Sequence, residues 1–123
     1  SEAIFRDMET QAVREVARKK GVVIDCGGGV VLNKDNVKEL RRSGKLFYLS
    51  AKPEILLKQV KLGGKERPLL KTPDPLKTIK NLLKQRKEFY EDAADFTVDA
   101  NNKTIEQLAD DILRIIKNER LSS

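Results

Sequence analysis

The chain contains no histidine and no tryptophan, and Cys26 is its only cysteine. Without histidine or a second thiol, the usual zinc sites and histidine-activated nucleophiles are excluded, and no disulfide can form within the chain. Any general base has to be a carboxylate. No apolar run approaches the roughly 20 residues that a helix needs to cross a bilayer. No charged, apolar, small-residue succession opens the chain, so neither a membrane anchor nor a signal peptide is expected. The cytoplasm is the expected compartment. Proline is scarce, and three of the four prolines are Pro68, Pro73 and Pro75. The segment from Lys65 to Pro75, which follows Gly63-Gly64, is therefore expected to be an exposed, mobile loop.

Charge, by contrast, is plentiful: 36% of the 123 residues are charged, and 25 Lys and Arg against 19 Asp and Glu leave a net +6. Such an excess draws anionic partners from a distance, whether nucleotide, acidic metabolite or nucleic acid. A solvated lysine surface accounts for the same numbers, so charge alone selects no partner. Nucleic acid is disfavoured because aromatic residues do not interleave with the basic ones. At this length the chain is expected to form a single domain over residues 1–123.

From Glu2 to Lys20 apolar residues, among them Phe5, Met8, Val13 and Val16, recur at helical spacing, and Gly21 is the stop signal. No capping sequence is apparent before this helix. Val22 to Asp25 is a β-branched run and reads as a strand buried on both faces of a parallel sheet. Asn33 is placed to cap a helix to Arg42, and Pro53 suits the first turn of a helix over about Glu54 to Leu62. Further helices are expected from Leu76 to Asp92 and from Ile105 to Lys117, and strands from Lys45 to Ser50 and from Phe96 to Ala100. This alternation predicts an α/β fold, a three-layer sandwich around a thin, three-stranded parallel sheet.

The Val22 run leads into Gly27-Gly28-Gly29. A glycine inside an element costs about 0.5–1 kcal/mol relative to alanine, so three in succession call for a reason. The reasons available are a sharp turn, an amide cradle for an anion, or close packing of a substrate on the main chain. One glycine would serve the turn. The carboxyl end of a parallel strand is also where open α/β sheets hold ligands.

Five stretches, in order, resemble the shikimate kinase family of P-loop kinases. They are Ser1-Glu2-x-x-Phe5-Arg6-x-x-Glu9, the apolar run into Gly27-Gly28-Gly29, the strand Leu46 to Leu49 with Pro53-Glu54, Arg67-Pro68-Leu69-Leu70, and Arg86-x-x-x-Tyr90. The resemblance covers nearly the whole chain. It implies a P-loop-kinase-like fold and phosphorylation of the 3-hydroxyl of shikimate, in aromatic amino acid biosynthesis, with ATP as co-substrate and Mg²⁺ as cofactor. Arg6 and Arg86 are thereby implied to hold the shikimate carboxylate, since a guanidinium fork offers paired donors to it. Glu9 is implied to orient Arg6, and Gly27, Gly28 and Gly29 to carry the substrate along bare backbone. Without the resemblance, Arg6 and Glu9 read as an ordinary exposed helix pair, and Arg86 as a solvated charge near Lys84 and Lys87. Arg67 is implied to close over ATP and stabilise charge on the transferring phosphoryl group. Lys61 or Lys58 is implied at the adenine end of the nucleotide, and Asn101 to Lys103 near the adenine.

Two features depart from the family pattern. Asp25-Cys26 stands where relatives carry a small residue and then Thr. An apolar run ending in Asp is the Walker-B pattern, so Asp25 is the expected Mg²⁺ support, directly or through water. Its plain alternative is an Asp that caps the next turn. Cys26 reads as a small buried residue with no chemistry of its own. The larger departure is that the Gly-x-x-x-x-Gly-Lys-Ser/Thr loop and the acidic Asp-x-Asp strand are absent. In the implied strand order 2-3-1-4-5 the first two strands are then missing. The strands at Val22 and Leu46 flank the empty central place without pairing with each other, which exposes strand edges and an apolar patch. The chain is expected to be an incomplete, inactive module, to be completed by an N-terminal segment or a second chain. Two other readings stay open: a module that binds shikimate or a protein partner without kinase activity, and a small-molecule kinase of the gluconate kinase type.

Overall fold

The computed structural model describes residues 1–62 and 71–122. Arg67 and the Arg67-Pro68-Leu69-Leu70 stretch lie outside the described residues.

Helix α1 (Glu2–Val16) does have a cap: the Ser1 hydroxyl accepts a hydrogen bond from the Ile4 amide at 3.3 Å. The helix ends at Val16, short of Lys20, and the chain turns away through Gly21 at a φ of 67°, a left-handed position that suits glycine. After the glycines comes a short 3-10 turn (Val30–Leu32), and then Asn33 caps α2 (Lys34–Ser43) by accepting from the Asp35 amide at 2.9 Å. Strand β1 (Phe47–Ser50) leads into α3 (Pro53–Leu62), which opens on its proline as expected. Helix α4 (Pro75–Ala93) is capped by Asp74, and β2 (Phe96–Asp99) and α5 (Ile105–Ser122) complete the order.

The sheet of the described residues has two strands, β1 and β2, running parallel in a register that sets Phe47 beside Phe96 and Ser50 beside Asp99. The Phe47 and Phe96 rings stack across that register, with centroids 5.3 Å apart. The expected strand at Val22 to Asp25 is not formed, and its residues are not buried: Val22 is 49% exposed and Val23 fully so. A β-branched run has the right propensity, but a strand exists only where a neighbour completes its ladder, and among the described residues β1 pairs with β2 alone and nothing pairs with the Val22 run. That the Val22 run and β1 do not pair with each other agrees with the implied strand order, in which they flank another strand. With no strand beside it among the described residues, Cys26 too is exposed, not buried.

Val13, Ala17, Val30 and Leu40 form a buried cluster between α1, the 3-10 turn and α2, with Leu46 packed against it. Ile79, Ala93, Val98 and Ala100 are buried along α4 and β2. Ile4, Phe5 and Met8 on α1, and Val22 to Ile24, are exposed.

Asp95 ties the start of the sheet together. Its carboxylate accepts from the Leu46 amide at 2.8 Å and from the Arg41 guanidinium at 3.0 Å, while its own amide donates to the Leu46 carbonyl at 2.8 Å. Partial burial pushes this carboxyl upward, but the hydrogen bonds from Leu46 and Arg41 outweigh it and hold the pKa below the ordinary value. A group with a depressed folded pKa stabilises fully above its unfolded pKa and loses that contribution as pH falls through the folded value. Stability is therefore expected to decline below about pH 4, and Asp95→Asn to flatten that decline. Urea midpoints of both proteins across the acid range check this, and equal slopes would contradict it.

Candidate functional site

None of the three successive glycines has a positive φ, and Gly29 lies at φ −90°, ψ −5°, open to any L-residue. Backbone conformation does not call for glycine here; space does. A β-carbon on Gly29 would collide with the Arg6 guanidinium, overlapping Nη1 and lying 2.8 Å from Nη2. On Gly28 it would sit 3.1 Å from the Tyr90 hydroxyl and 3.3 Å from Arg86 Nη1. On Gly27 it would meet only Glu9 Oε2, at an ordinary 4.0 Å. The glycines thus make room for side chains arriving from α1 on one side and α4 on the other.

Helical spacing explains how those side chains arrive. Arg6 and Glu9 lie one turn apart on α1, with Nη1 2.9 Å from Oε1, and the Glu9 side chain is only 13% exposed. Glu2 stands 3.8 Å from the same guanidinium, whose carbon lies 5.5 Å from the centre of the Phe5 ring. Arg86 and Tyr90 are likewise one turn apart on α4. The Tyr90 hydroxyl donates to the Gly28 carbonyl at 2.9 Å, and its ring stacks on Tyr48 of β1 at 5.0 Å. Burial pushes the Tyr48 phenol up from its ordinary value. Half-buried Arg86 has no carboxylate partner among the described residues. The turn thus carries one guanidinium braced by a carboxylate and one without an ion-pair partner, over bare main chain. Such a pair suits a carboxylate.

A cavity of about 370 Å³ adjoins the turn, lined by Arg6, Glu9, Thr10, Gly29, Asn33 and Asn36 among others. Asn36 is fully buried; its Nδ2 donates to the Val30 carbonyl at 3.4 Å, and its Oδ1 has no partner among the described residues. Neither Thr10 nor Asn36 stood out in the sequence. The available signal for Asn36 was its place one helical turn before Leu40 on the buried stripe of α2.

The other expected residues stand apart from this group. Asp25 is exposed, two positions before the turn; partial desolvation of the exposed Cys26 thiol, and then the Asp25 charge, push that thiol upward. Mg²⁺ is commonly held by one or two carboxylates together with waters and phosphate oxygens. A lone exposed carboxylate fits that supporting place, and no cluster able to hold a metal alone exists among the described residues. Asn101, after β2, uses its side-chain oxygen to accept from the Lys52 amide at 2.8 Å, which ties the ends of β1 and β2 together. Lys58 and Lys61 are exposed on α3, and no described contact joins them to the glycine turn.

A family model described as shikimate kinase matches residues 1–117. The chain is 44% identical over 113 residues to the shikimate kinase of Caldanaerobacter subterraneus subsp. tengcongensis, covering 92% of this chain and 65% of that protein. It is 42% identical, with the same coverage, to that of Thermoanaerobacter pseudethanolicus. The chain therefore spans just under two thirds of the length of these relatives. Among solved structures, the shikimate kinase from Acinetobacter baumannii in complex with shikimate superimposes with a TM-score of 0.86 at 32% identity, over 95% of this chain and 65% of that one. The Bacteroides thetaiotaomicron shikimate kinase does so with a TM-score of 0.82 at 27% identity, over 98% and 70%. With the family model spanning residues 1–117 and relatives above 40% identity over most of its length, the chain belongs to the shikimate kinase family.

Proposed function

We propose that this chain supplies the acceptor-binding part of an ATP:shikimate 3-phosphotransferase. The observation that carries the reading is the approach of Arg6 to Gly29, closer than a β-carbon would permit, together with that of Arg86 to Gly28, where a β-carbon would stand in tight contact at 3.3 Å from Nη1. Shikimate is a cyclohexene carboxylate with ring hydroxyls, which matches guanidinium forks beside exposed backbone amides and carbonyls. Glu9 fixes the Arg6 fork, so its donors are aimed before the ligand arrives. The A. baumannii relative, whose structure holds shikimate, supports the same acceptor for this chain.

ATP is the co-substrate in this reading, with Arg67 closing over the phosphates and Lys61, or Lys58, and Asn101 on the adenine side. Asn101 keeps its side-chain NH₂ for that role, since its oxygen is already used. Mg²⁺, when bound with ATP, neutralises charge on the phosphates, and Asp25 would support it through water. No Gly-x-x-x-x-Gly-Lys-Ser/Thr motif occurs in the sequence, so the residues assigned here act chiefly on the acceptor. An exposed free thiol at Cys26 suits a reducing compartment, in keeping with action in the cytoplasm.

Calorimetric titration with shikimate and with gluconate, followed by an assay for ADP in the presence of Mg²⁺ and ATP, tests the reading. Saturable shikimate binding by this chain is expected, with shikimate-dependent ADP formation only where a segment carrying the phosphate-binding loop accompanies it. Shikimate binding without ADP even then would instead indicate a binding module, and turnover with gluconate a different small-molecule kinase.

A further inference from the structure

Among the described residues Asn36 alone is both polar and buried, at 1% exposure. It sits on α2 one helical turn before the buried Leu40, where an apolar side chain would satisfy packing without a polar group to match. Its amide is only half matched. Nδ2 donates to the Val30 carbonyl at 3.4 Å, and because a carbonyl can only accept, that contact fixes which end of the amide faces Val30. Oδ1 meets no donor among the described residues. The residues already present enclose this oxygen, so nothing that packs onto the outside of the chain reaches it. A buried amide left half matched weakens the fold, and its place in the core calls for a use other than stability.

Val30 opens the 3-10 turn that follows the three glycines. Its amide donates to the Gly27 carbonyl and the Leu32 amide to the Gly29 carbonyl, each at 3.2 Å, while the Val30 carbonyl takes the Asn33 amide at 3.4 Å beside Asn36. The N–H and C=O of a trans peptide point in opposite directions. Holding the Gly27 carbonyl toward Val30 therefore sends the Gly28 amide the other way, out of the 3-10 turn. These links involve α2 and the glycines alone, and the pairing of the Val22 run does not enter them.

We infer that Asn36 is a positioning residue for the acceptor site: through the Val30 carbonyl it fixes the 3-10 turn, and the turn sets the direction of the Gly28 amide beside Arg86. It lies beneath the turn and touches no ligand. The reading differs from a plain core role in what its loss does, since removing the amide relieves an unmatched oxygen while it frees the turn.

The binding test of this inference rests on the acceptor reading above, and the exchange test does not. Asn36→Leu removes the donor and the unmatched oxygen together, so the thermal midpoint is expected to hold or rise. Shikimate affinity is expected to fall about three- to tenfold, the scale of one hydrogen bond. In the ligand-free protein, hydrogen exchange at the Val30 and Leu32 amides is expected to quicken by a similar factor while the β2 amides exchange as before. Unchanged affinity, or unchanged exchange at Val30 and Leu32, would overturn the inference. Should leucine overpack the site and unfold the chain, Asn36→Ala decides instead: Val30 and Leu32 are expected to gain more exchange than the β2 amides, and an equal gain in both would overturn the inference. If the unsubstituted protein binds no shikimate yet exchange at Val30 and Leu32 quickens in the variant, the acceptor reading fails and the hold of Asn36 on the turn stands.

Discussion

Replacing Gly29 with alanine is expected to weaken shikimate binding about ten- to a hundredfold while leaving thermal stability nearly unchanged. The two halves of that expectation have separate causes. The backbone at Gly29 is helical in character, so alanine meets no conformational strain there, and the lower entropy of its unfolded chain slightly favours folding. The new methyl group, however, occupies the place of the Arg6 guanidinium. The flexible arginine can shift aside by a fraction of an ångström and stay paired with Glu9, at little cost to the fold, but its fork is then displaced from the ligand carboxylate. Gly27→Ala is the internal control. Its β-carbon has ordinary room beside Glu9, so any loss of binding there reports contact between ligand and backbone instead of a displaced arginine. Titrations and melting curves of the two variants check both halves. Full-strength binding by Gly29→Ala would mean that Arg6 does not hold the ligand.

Arg86→Ala is expected to cost still more, roughly a hundred- to a thousandfold in shikimate affinity, the scale of losing one partner from a desolvated charge pair. Arg86→Lys should recover only part of this, because an ammonium keeps the charge but lacks the planar fork. Removing Arg86 strands no anion, since no carboxylate pairs with it among the described residues, and the folded state should tolerate the change. Arg6→Ala is the less clean experiment. It leaves the largely buried Glu9 carboxylate without its partner, and so penalises the fold together with the ligand. Equilibrium titrations of the alanine and lysine variants at Arg86 separate charge from geometry; equal affinity of the lysine variant and the unsubstituted protein would contradict the fork.

Much of the helical framework could be read from local sequence because its signals act locally. Asn33 caps α2 and Pro53 opens α3 through groups within one turn of themselves. The Ser1 cap obeys the same rule, a side-chain oxygen three residues before the amide it accepts from. The Val22 run shows the limit of local reasoning. Its β-branched side chains favour an extended chain, but a ladder needs a neighbour that residues 22–25 cannot specify, and no strand is formed there. The glycines show another limit. From sequence, a turn that requires glycine and a surface that requires close approach look alike; the φ angles and the positions of Arg6 and Arg86 separate them. The Arg6–Glu9 pair was evident from helical spacing, whereas its meeting with Gly29 and the meeting of Arg86 with Gly28 depend on how α1 and α4 pack. Only the family resemblance brought those distant residues together beforehand.

The most direct test is an NMR titration of the protein with shikimate, following the backbone amides of Gly27, Gly28 and Gly29 together with the Nε–Hε signals of Arg6 and Arg86. All five signals are expected to move along one saturable curve, with the basic face of α2 at Lys38 and Arg42 unaffected. No saturable change at the glycine turn, or changes confined to that α2 face, would contradict the assignment of this turn as the acceptor site.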